Sequence, residues 1–468
     1  MKVLMTGATG LIGKELGKAL VKRGYHVFIV TRDAAKARAQ LPFPCEIIEG
    51  NLSEGPLKGH PELRLIDAVI NLAGESIGGG RWNEMRKRKI YESRILTTRN
   101  LIQSLSVAPK VFVSASAVGY YGSQAGTDLS EDSPAGDDFL AQVCQDWEEE
   151  LLSFSYGESL AATRVVILRT GLVLSSHGGA MEKLFPLFRR GLGAVLGDGK
   201  QWMSWIHLED EIGLILHALE KPTVRGPMNL VSPNPVTNEE FSKSFAEVLK
   251  VKLVPKVPAL VLWATMGEMS SLVLGSQKVT PQVALQSGYK FKFGDLRKAL
   301  EDICNKDDEE VLVSEQFLPW KPELVFPFFS HAENLQKITP PSLNFEIIEG
   351  APDKIQLGSE IEYRLKLRGV PMTWKSVISE WNPPHHFSDS QVVGPYSKWQ
   401  HRHEFHAFAG GTLMIDRVRY VLPLGSVGSL VAGALVRSEL EKVFAYRREY
   451  LIKNLERDLG LKDDTLRP

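Results

Sequence analysis

An apolar run at the start of the chain, Lys2-Val3-Leu4-Met5, leads directly into Thr6-Gly7-Ala8-Thr9-Gly10-Leu11-Ile12-Gly13. No other stretch constrains the fold as tightly. The glycines follow the spacing GxxGxxG. From Leu11 to Arg23 the apolar residues Leu11, Ile12, Leu16, Ala19 and Leu20 recur on one helical face. Strand, glycine turn and helix start together form a cradle for a phosphate. Gly7 permits the tight turn, Gly10 lets the backbone approach the anion, and Gly13 lets the helix pack on the strand. The unpaired N–H groups of the first helical turn face the charge. A glycine turn with no ligand is the plainer alternative.

The same alternation continues downstream. Val27-Phe28-Ile29-Val30, Ala68-Val69-Ile70-Asn71, Val111-Phe112-Val113-Ser114 and Arg164 to Leu168 are continuous apolar runs rather than alternating ones. Such runs suit parallel strands buried on both faces, joined by right-handed helical crossovers. The expected fold is α/β, a Rossmann-type doubly wound parallel sheet. The second strand ends at Arg32, with Lys36 and Arg38 close behind. A carboxylate at that position would hold a ribose 2′-hydroxyl, whereas a cation suits a 2′-phosphate, so the cofactor read here is NADP(H). The alternative is that Arg32 is only an exposed strand end.

At 468 residues the chain is too long for one ordinary core. The pattern changes near residue 300, where Glu301 to Glu310 is polar and acidic. The expected division is a dinucleotide domain over 1–300, a linker over 301–310 and a second domain over 311–468. In the second domain the period becomes two, through Ile361, Tyr363, Leu365 and Leu367, then Met372 to Trp381, Trp399 to Phe408 and Thr412 to Leu422. A long helix, Leu435 to Leu455, closes the chain, so this part reads as α+β.

The formal net charge is -1, which gives nucleic acid no reason to bind. The basic run Arg86 to Lys89 reads as a solvated helix face. Cys45, Cys144 and Cys304 are far apart, which suits a reducing compartment and offers no metal spacing. The longest apolar stretch, Leu422 to Val436, is interrupted by Pro423 and glycines and falls short of the ~20 residues of a membrane span. A cytoplasmic protein is expected, with a small-molecule substrate and no membrane span. The oligomeric state is left open.

Taken in order, TGATGLIG, NLAG (Asn71 to Gly74), Arg81-Trp82, Ser93-Arg94-Ile95, SASAVGYYG (Ser114 to Gly122), CxxWE (Cys144 to Glu148), LRTGLVL (Leu168 to Leu174) and SWIHLED (Ser204 to Asp210) resemble extended short-chain dehydrogenases. The likeness is to the atypical YfcH type of the NAD-dependent epimerase/dehydratase family, over about residues 1 to 300. The resemblance implies cofactor contacts from Thr6, Gly7, Thr9, Gly10, Leu11, Ile12, Gly13, Arg32, Asn51, Leu72, Ala73, Gly74 and Ser114. Asn51-Leu52 stands where the family usually has Asp-Leu.

The family's usual chemistry uses a Ser or Thr with a Tyr-x-x-x-Lys pair, in which Lys lowers the pKa of the Tyr acid/base. Ser116 matches the Ser. The Tyr and Lys positions, counted from Glu148, are Leu140 and Cys144, and neither can replace the missing groups. Tyr120 and Tyr121 beside Ser116, and His207 in SWIHLED, are the substitute catalytic candidates, with Glu75 a further one. For each, a structural role is the alternative. Gln201, Trp202, Ser204 and Trp205 line a pocket or pack on one another.

The second domain resembles a SRPBCC/START-like helix-grip fold, on FLPWKPELVFPFFSHAENLQKITPP, GVPMTWKSVISEW and the closing helix. That likeness implies a cavity for an apolar ligand, with Trp374, Trp381, Phe387, Trp399, Phe405, Phe408 and Tyr420 as lining or core residues, and Arg364, Glu380 and Arg402 as anchors or rim charges. His401 and His403 share a strand face, yet no carboxylate on that face joins them, so no metal site is expected. Two functions follow: an NADP(H)-dependent oxidoreductase or epimerase with an appended hydrophobic-ligand domain, or a non-catalytic NADP(H)-binding regulator.

Overall fold

The structure, a computed structural model, describes residues 1–155, 162–176, 178–304, 310–348, 352–367, 369–423 and 425–461. It divides into two units, Met1–Asp33 with Cys45–Lys306, and Ala34–Pro44 with Asp307–Pro468. The segment Ala34–Pro44, which includes Lys36 and Arg38, therefore belongs with the second unit rather than with the first 300 residues. The expected linker is also corrected. Helix Leu296–Ile303 runs into it with Ile303 and Cys304 buried in the core, and Glu310 already opens a strand. Residues 305–309 lie outside the described residues.

In the first unit, β1 (Lys2–Thr6), α1 (Leu11–Lys22), β2 (His26–Thr31), β3 (Glu46–Glu49) and β4 (Ala68–Asn71) are followed by α2 (Glu84–Ser104), β5 (Val111–Ala117), α3 (Phe139–Ser155), β6 (Arg164–Thr170), α4 (Leu208–Glu220) and β7 (Gly226–Leu230). The seven strands form one parallel sheet in the order β7-β6-β5-β4-β1-β2-β3. Buried Leu16 and Leu20, with Gly13 and Gly17, form the inner face of α1. The order reverses between β1 and β4, where Thr6 pairs with Asn71. A reversal of this kind opens a crevice at the carboxyl ends of the strands, and the glycine turn sits at its edge.

The second unit contains β8 (Glu310–Leu318), α5 (Pro322–Phe329), α6 (Ala332–Lys337), β9 (Glu346–Ile347), β10 (Glu360–Leu367), β11 (Val370–Asn382), β12 (His386–Val393), β13 (Lys398–Phe408), β14 (Gly411–Val421) and α7 (Gly425–Asp458). Its seven strands form an antiparallel sheet in the order β8-β14-β13-β12-β11-β10-β9. Leu440, Phe444, Leu451 and Leu455 of α7 are buried in clusters with sheet residues such as Met414, Val418 and Tyr420. The helix begins ten residues before the expected Leu435, because helix-poor glycines at 425, 428 and 433 are accommodated within it. Among the described residues no helix is long and apolar enough to cross a membrane.

Candidate dinucleotide site and a buried strand-end cluster

The glycine turn has the geometry of a backbone cradle. Gly7 adopts φ 69°, and a Cβ there would lie 2.7 Å from the Leu72 carbonyl carbon. A Cβ on Gly13 would meet Gly7 O at 2.3 Å and Ala8 Cα at 2.7 Å. Gly13 therefore lets the helix close onto the turn itself, not onto the strand as expected. Gly10 caps α1 with extended backbone and no side chain, so nothing covers the first-turn N–H groups from that residue. Thr6 fixes the opposite wall. Its hydroxyl donates to Asn71 Oδ1 at 2.7 Å and accepts from the N–H groups of Leu72 at 3.2 Å and Ala73 at 3.1 Å.

Other expected cofactor residues divide by their surroundings. Thr9, Gly74 and Arg32 are exposed, Arg32 at the end of β2. Leu11, Ile12, Leu72 and Ala73 are half-buried around the turn. Asn51 is spent locally: its amide donates to Glu54 at 2.7 Å and its oxygen accepts from the Ser53 hydroxyl at 2.6 Å. Ser114 is buried beneath the strand ends, where Asn71 Nδ2 donates to it at 3.2 Å and to Thr98 at 2.9 Å. Both therefore hold the scaffold.

The catalytic candidates turn out to be engaged elsewhere. Ser116 is buried and donates to Glu148 Oε1 at 2.6 Å. Glu148 is clamped by two bonds from Arg169, Nε at 2.9 Å and Nη2 at 2.8 Å. Arg169 also donates to the Tyr121 hydroxyl at 3.0 Å and the Glu131 carbonyl at 3.1 Å. Tyr121 is fully buried and donates to Asn229 at 2.7 Å; burial pushes its phenol up to about 12. Burial opposes the Arg169 charge, but Glu148 outweighs it and holds the guanidinium protonated. Every member of this chain has a partner, which is how a buried ionic network is tolerated.

Tyr120 differs. It is half-buried, its ring lies 3.4 Å from the Arg169 guanidinium carbon, and among the described residues its hydroxyl makes no hydrogen bond. Leu140 and Cys144 share one face of α3 over Gly119, at 3.4 Å and 3.7 Å from where a Cβ on that glycine would be. Burial pushes the Cys144 thiol up to about 11, so it remains protonated and unreactive. His207 caps α4, accepting from Glu209 N at 3.2 Å, and packs on Phe293 with ring centres 3.8 Å apart. Burial lowers its pKa, so the imidazole is neutral, and no described contact joins it to the Ser116 cluster. Gln201, Ser204 and Trp205 bond to backbone carbonyls of Leu196, Gln277 and Asn234, which makes that loop self-packed.

The roles of two residues escaped the sequence reading. Arg94 stacks on Trp147 at 5.3 Å and donates to the carbonyls of Ile90 at 2.9 Å and Glu75 at 3.2 Å. A Cβ on Gly74 would lie 3.3 Å from its guanidinium, and burial lowers its pKa. Glu211 on α4 is buried, accepts from Thr170 at the end of β6 at 2.9 Å, and is pushed up to about 8 by burial. The basic run is largely paired: Arg86 with Glu75, Lys87 with Glu268, Arg88 with Glu92. Arg94 was visible only as part of the motif Ser93-Arg94-Ile95, with no role attached, and no motif covered Glu211, because what each contacts depends on which helix faces which strand end.

In the second unit a cavity of about 350 Å³ is lined largely by apolar residues, among them Phe329, Tyr363, Trp374, Phe387 and Trp399, with Asp389, His401 and His403 also on its wall. Of the aromatic candidates, Trp374, Phe387 and Trp399 line it. Trp381, Phe405, Phe408 and Tyr420 do not, and pack instead on Phe326, Phe329, Phe317 and Tyr396 respectively. Arg364 is exposed, and Arg402 pairs with Glu380 rather than facing the cavity. The expectation that His401 and His403 lack a carboxylate is also corrected. Their partners come from neighbouring strands, Asp389 opposite His401 and Asp416 opposite His403.

A glycine cradle at the switch point of a seven-stranded parallel sheet defines a Rossmann-type, NAD(P)-binding unit. Comparison with known proteins places it further. Residues 3–230 match the NAD dependent epimerase/dehydratase family, and residues 257–303 match a domain of unknown function, DUF1731. The chain is 37% identical over 310 residues to the epimerase family protein YfhF of Bacillus subtilis, which it covers to 98%, using 65% of its own length. It is 36% identical to human epimerase family protein SDR39U1, whose crystal structure with NADPH it matches with a TM-score of 0.58, covering 99% of that chain and 65% of this one. A nucleoside-diphosphate sugar epimerase from Corynebacterium glutamicum matches at 32% identity and TM-score 0.51, over 64% of this chain and 57% of that one. The chain belongs to the NAD dependent epimerase/dehydratase family.

Proposed function

We propose that this protein is an NADP(H)-dependent oxidoreductase or epimerase acting on a small substrate, joined to a helix-grip, SRPBCC/START-like domain that holds an apolar ligand, and that it works in the cytoplasm. The observation that carries the cofactor assignment is the turn itself. Gly7 and Gly13 leave no room for a Cβ, Gly10 leaves the helix start uncapped, and Arg32 is exposed where a 2′-phosphate would be met. The NADPH bound to the human relative supports the same choice. NADP(H) would supply the hydride chemistry. This chain would bind the phosphates through the turn and place Leu72, Ala73 and Gly74 along the cofactor.

Proton transfer in this reading does not come from Ser116 or Tyr121, which are buried and paired. Tyr120 is the half-buried phenol beside them. Arg94, within electrostatic range of Cys144, supplies a cation in the region where the family's lysine would stand. The test is NADPH oxidation across carbonyl and sugar-nucleotide substrates. Turnover that falls at least tenfold in Tyr120→Phe supports the reading. A complete lack of turnover with bound NADPH overturns it.

The second reading, a non-catalytic NADP(H)-dependent regulator, is favoured by Leu140 and Cys144 occupying the Tyr and Lys positions. It requires that NADPH and an apolar probe filling the second unit's cavity change each other's affinity by the same factor. Equal affinities with and without the other ligand count against it.

A further inference from the structure

We propose that Asp389, His401 and His403 form a binding site for a divalent transition-metal ion on the wall of the second unit's cavity. The three residues come from β12 and β13, and their nearest ligand atoms lie within 4.8 Å of one another. Asp389 Oδ2 is 3.6 Å from His401 Nδ1 and 3.7 Å from His403 Nε2. These separations are too long for N–H···O hydrogen bonds. They match two ligands on one ion: at ~2.1 Å from the metal, with angles between tetrahedral and trigonal, ligand atoms stand about 3.4–3.6 Å apart.

The far sides of both rings face Asp416. His401 Nε2 lies 3.1 Å from Asp416 Oδ1 in a hydrogen bond. If that nitrogen carries the proton, Nδ1 is left with a lone pair directed at Asp389. His403 Nδ1 sits 2.7 Å from the same oxygen but out of line for a hydrogen bond, so this buried nitrogen has no closed partner. Arg447 Nη1 donates to Asp416 at 3.2 Å. Asp416 thus serves His401 as the outer carboxylate that orients a metal-binding imidazole.

The His401 ring atom facing Asp389 is then an acceptor, as is Asp389, and with His403 Nε2 beside them the three converge as ligands would around a cation. Two imidazoles and one carboxylate suit zinc, iron or cobalt rather than calcium or magnesium. Asp389, His401 and His403 all line the cavity, so the remaining coordination positions open onto it. Trp374 also lines the cavity, and its buried indole N–H has no partner among the described residues, which suits an acceptor on a metal-bound molecule.

The competing arrangement is a proton on His403 in place of a metal. The two are separated by titrating the full chain, purified without a polyhistidine tag and stripped with chelator, with Zn²⁺ and Co²⁺. One equivalent of either ion per chain is expected, with visible cobalt absorption of the kind given by a site of low coordination number. Asp389→Asn and His403→Gln are each expected to weaken binding at least a hundredfold. Circular dichroism of the metal-free variants reports whether they fold. Failure of the folded wild-type chain to take up near-stoichiometric ion, or uptake unchanged in a folded variant, overturns the proposal and leaves the proton.

Discussion

The two units each bury a cluster of charges, and the clusters differ in how far they are closed. In the first unit Ser116, Glu148, Arg169, Tyr121 and Asn229 form an unbroken chain of donors and acceptors. In the second, Asp389, His401 and His403 stand side by side at 3.6 and 3.7 Å with no hydrogen bond closing Asp389 to either ring, and they line a cavity. A closed network can hold strand ends together but has no free group to offer a substrate. An open one is costly unless something fills it. Ser116 and Tyr121, which look catalytic by sequence position, are thus tied into the scaffold, whereas Asp389, His401 and His403, which looked incidental, face a cavity.

The largest effect is expected from Glu148→Ala. It strands the Arg169 guanidinium in the core, and removing one partner of a buried pair costs about 3–5 kcal/mol. Urea unfolding of the first unit should show this loss; a change under about 1 kcal/mol would mean the cluster is not a closed support. Gly7→Ala comes next. A left-handed backbone and a Cβ 2.7 Å from the Leu72 carbonyl carbon should cost about 1–3 kcal/mol and reduce NADPH affinity more than tenfold. Wild-type affinity in this variant would remove the turn from the site.

Much of this was legible in the chain. The glycine turn, the runs that became β1, β2, β4, β5 and β6, and the alternation that became β10, β11, β13 and β14 are periodic signals, and period is what a sequence states directly. The short β3 and the β7 strand, which contains Gly226 and Pro227, lacked such a run. The clusters were less legible because cross-strand register is not written in one strand. His401 and His403 were visible as neighbours, but Asp389 and Asp416 reach them only through pairing across β12, β13 and β14. Ser116 was visible, whereas its partner Glu148 lies 32 positions away on α3.

Glu211→Gln sharpens the comparison through pH. Burial pushes the Glu211 carboxyl up to about 8, above the unfolded value of about 4.3. The folded chain then keeps a proton that the unfolded chain loses. The stability from that group is complete below about pH 4.3 and is lost as pH rises toward 8. The variant should melt within a degree of wild type near pH 5 and a few degrees higher near pH 9. Parallel melting profiles would contradict this. The smallest effect is expected from Ser116→Ala, about 1–2 kcal/mol, with NADPH affinity unchanged within twofold. If turnover were lost while stability stayed intact, Ser116 would be catalytic after all.

The most direct test of the first unit's role is calorimetric titration of the full chain with NADPH and with NADH, repeated in Arg32→Glu. NADPH should bind at least tenfold more tightly than NADH, and Arg32→Glu should abolish or reverse that preference while sparing NADH. Equal affinities in the wild type, or a preference that survives Arg32→Glu, would contradict the assignment of Arg32 to the 2′-phosphate.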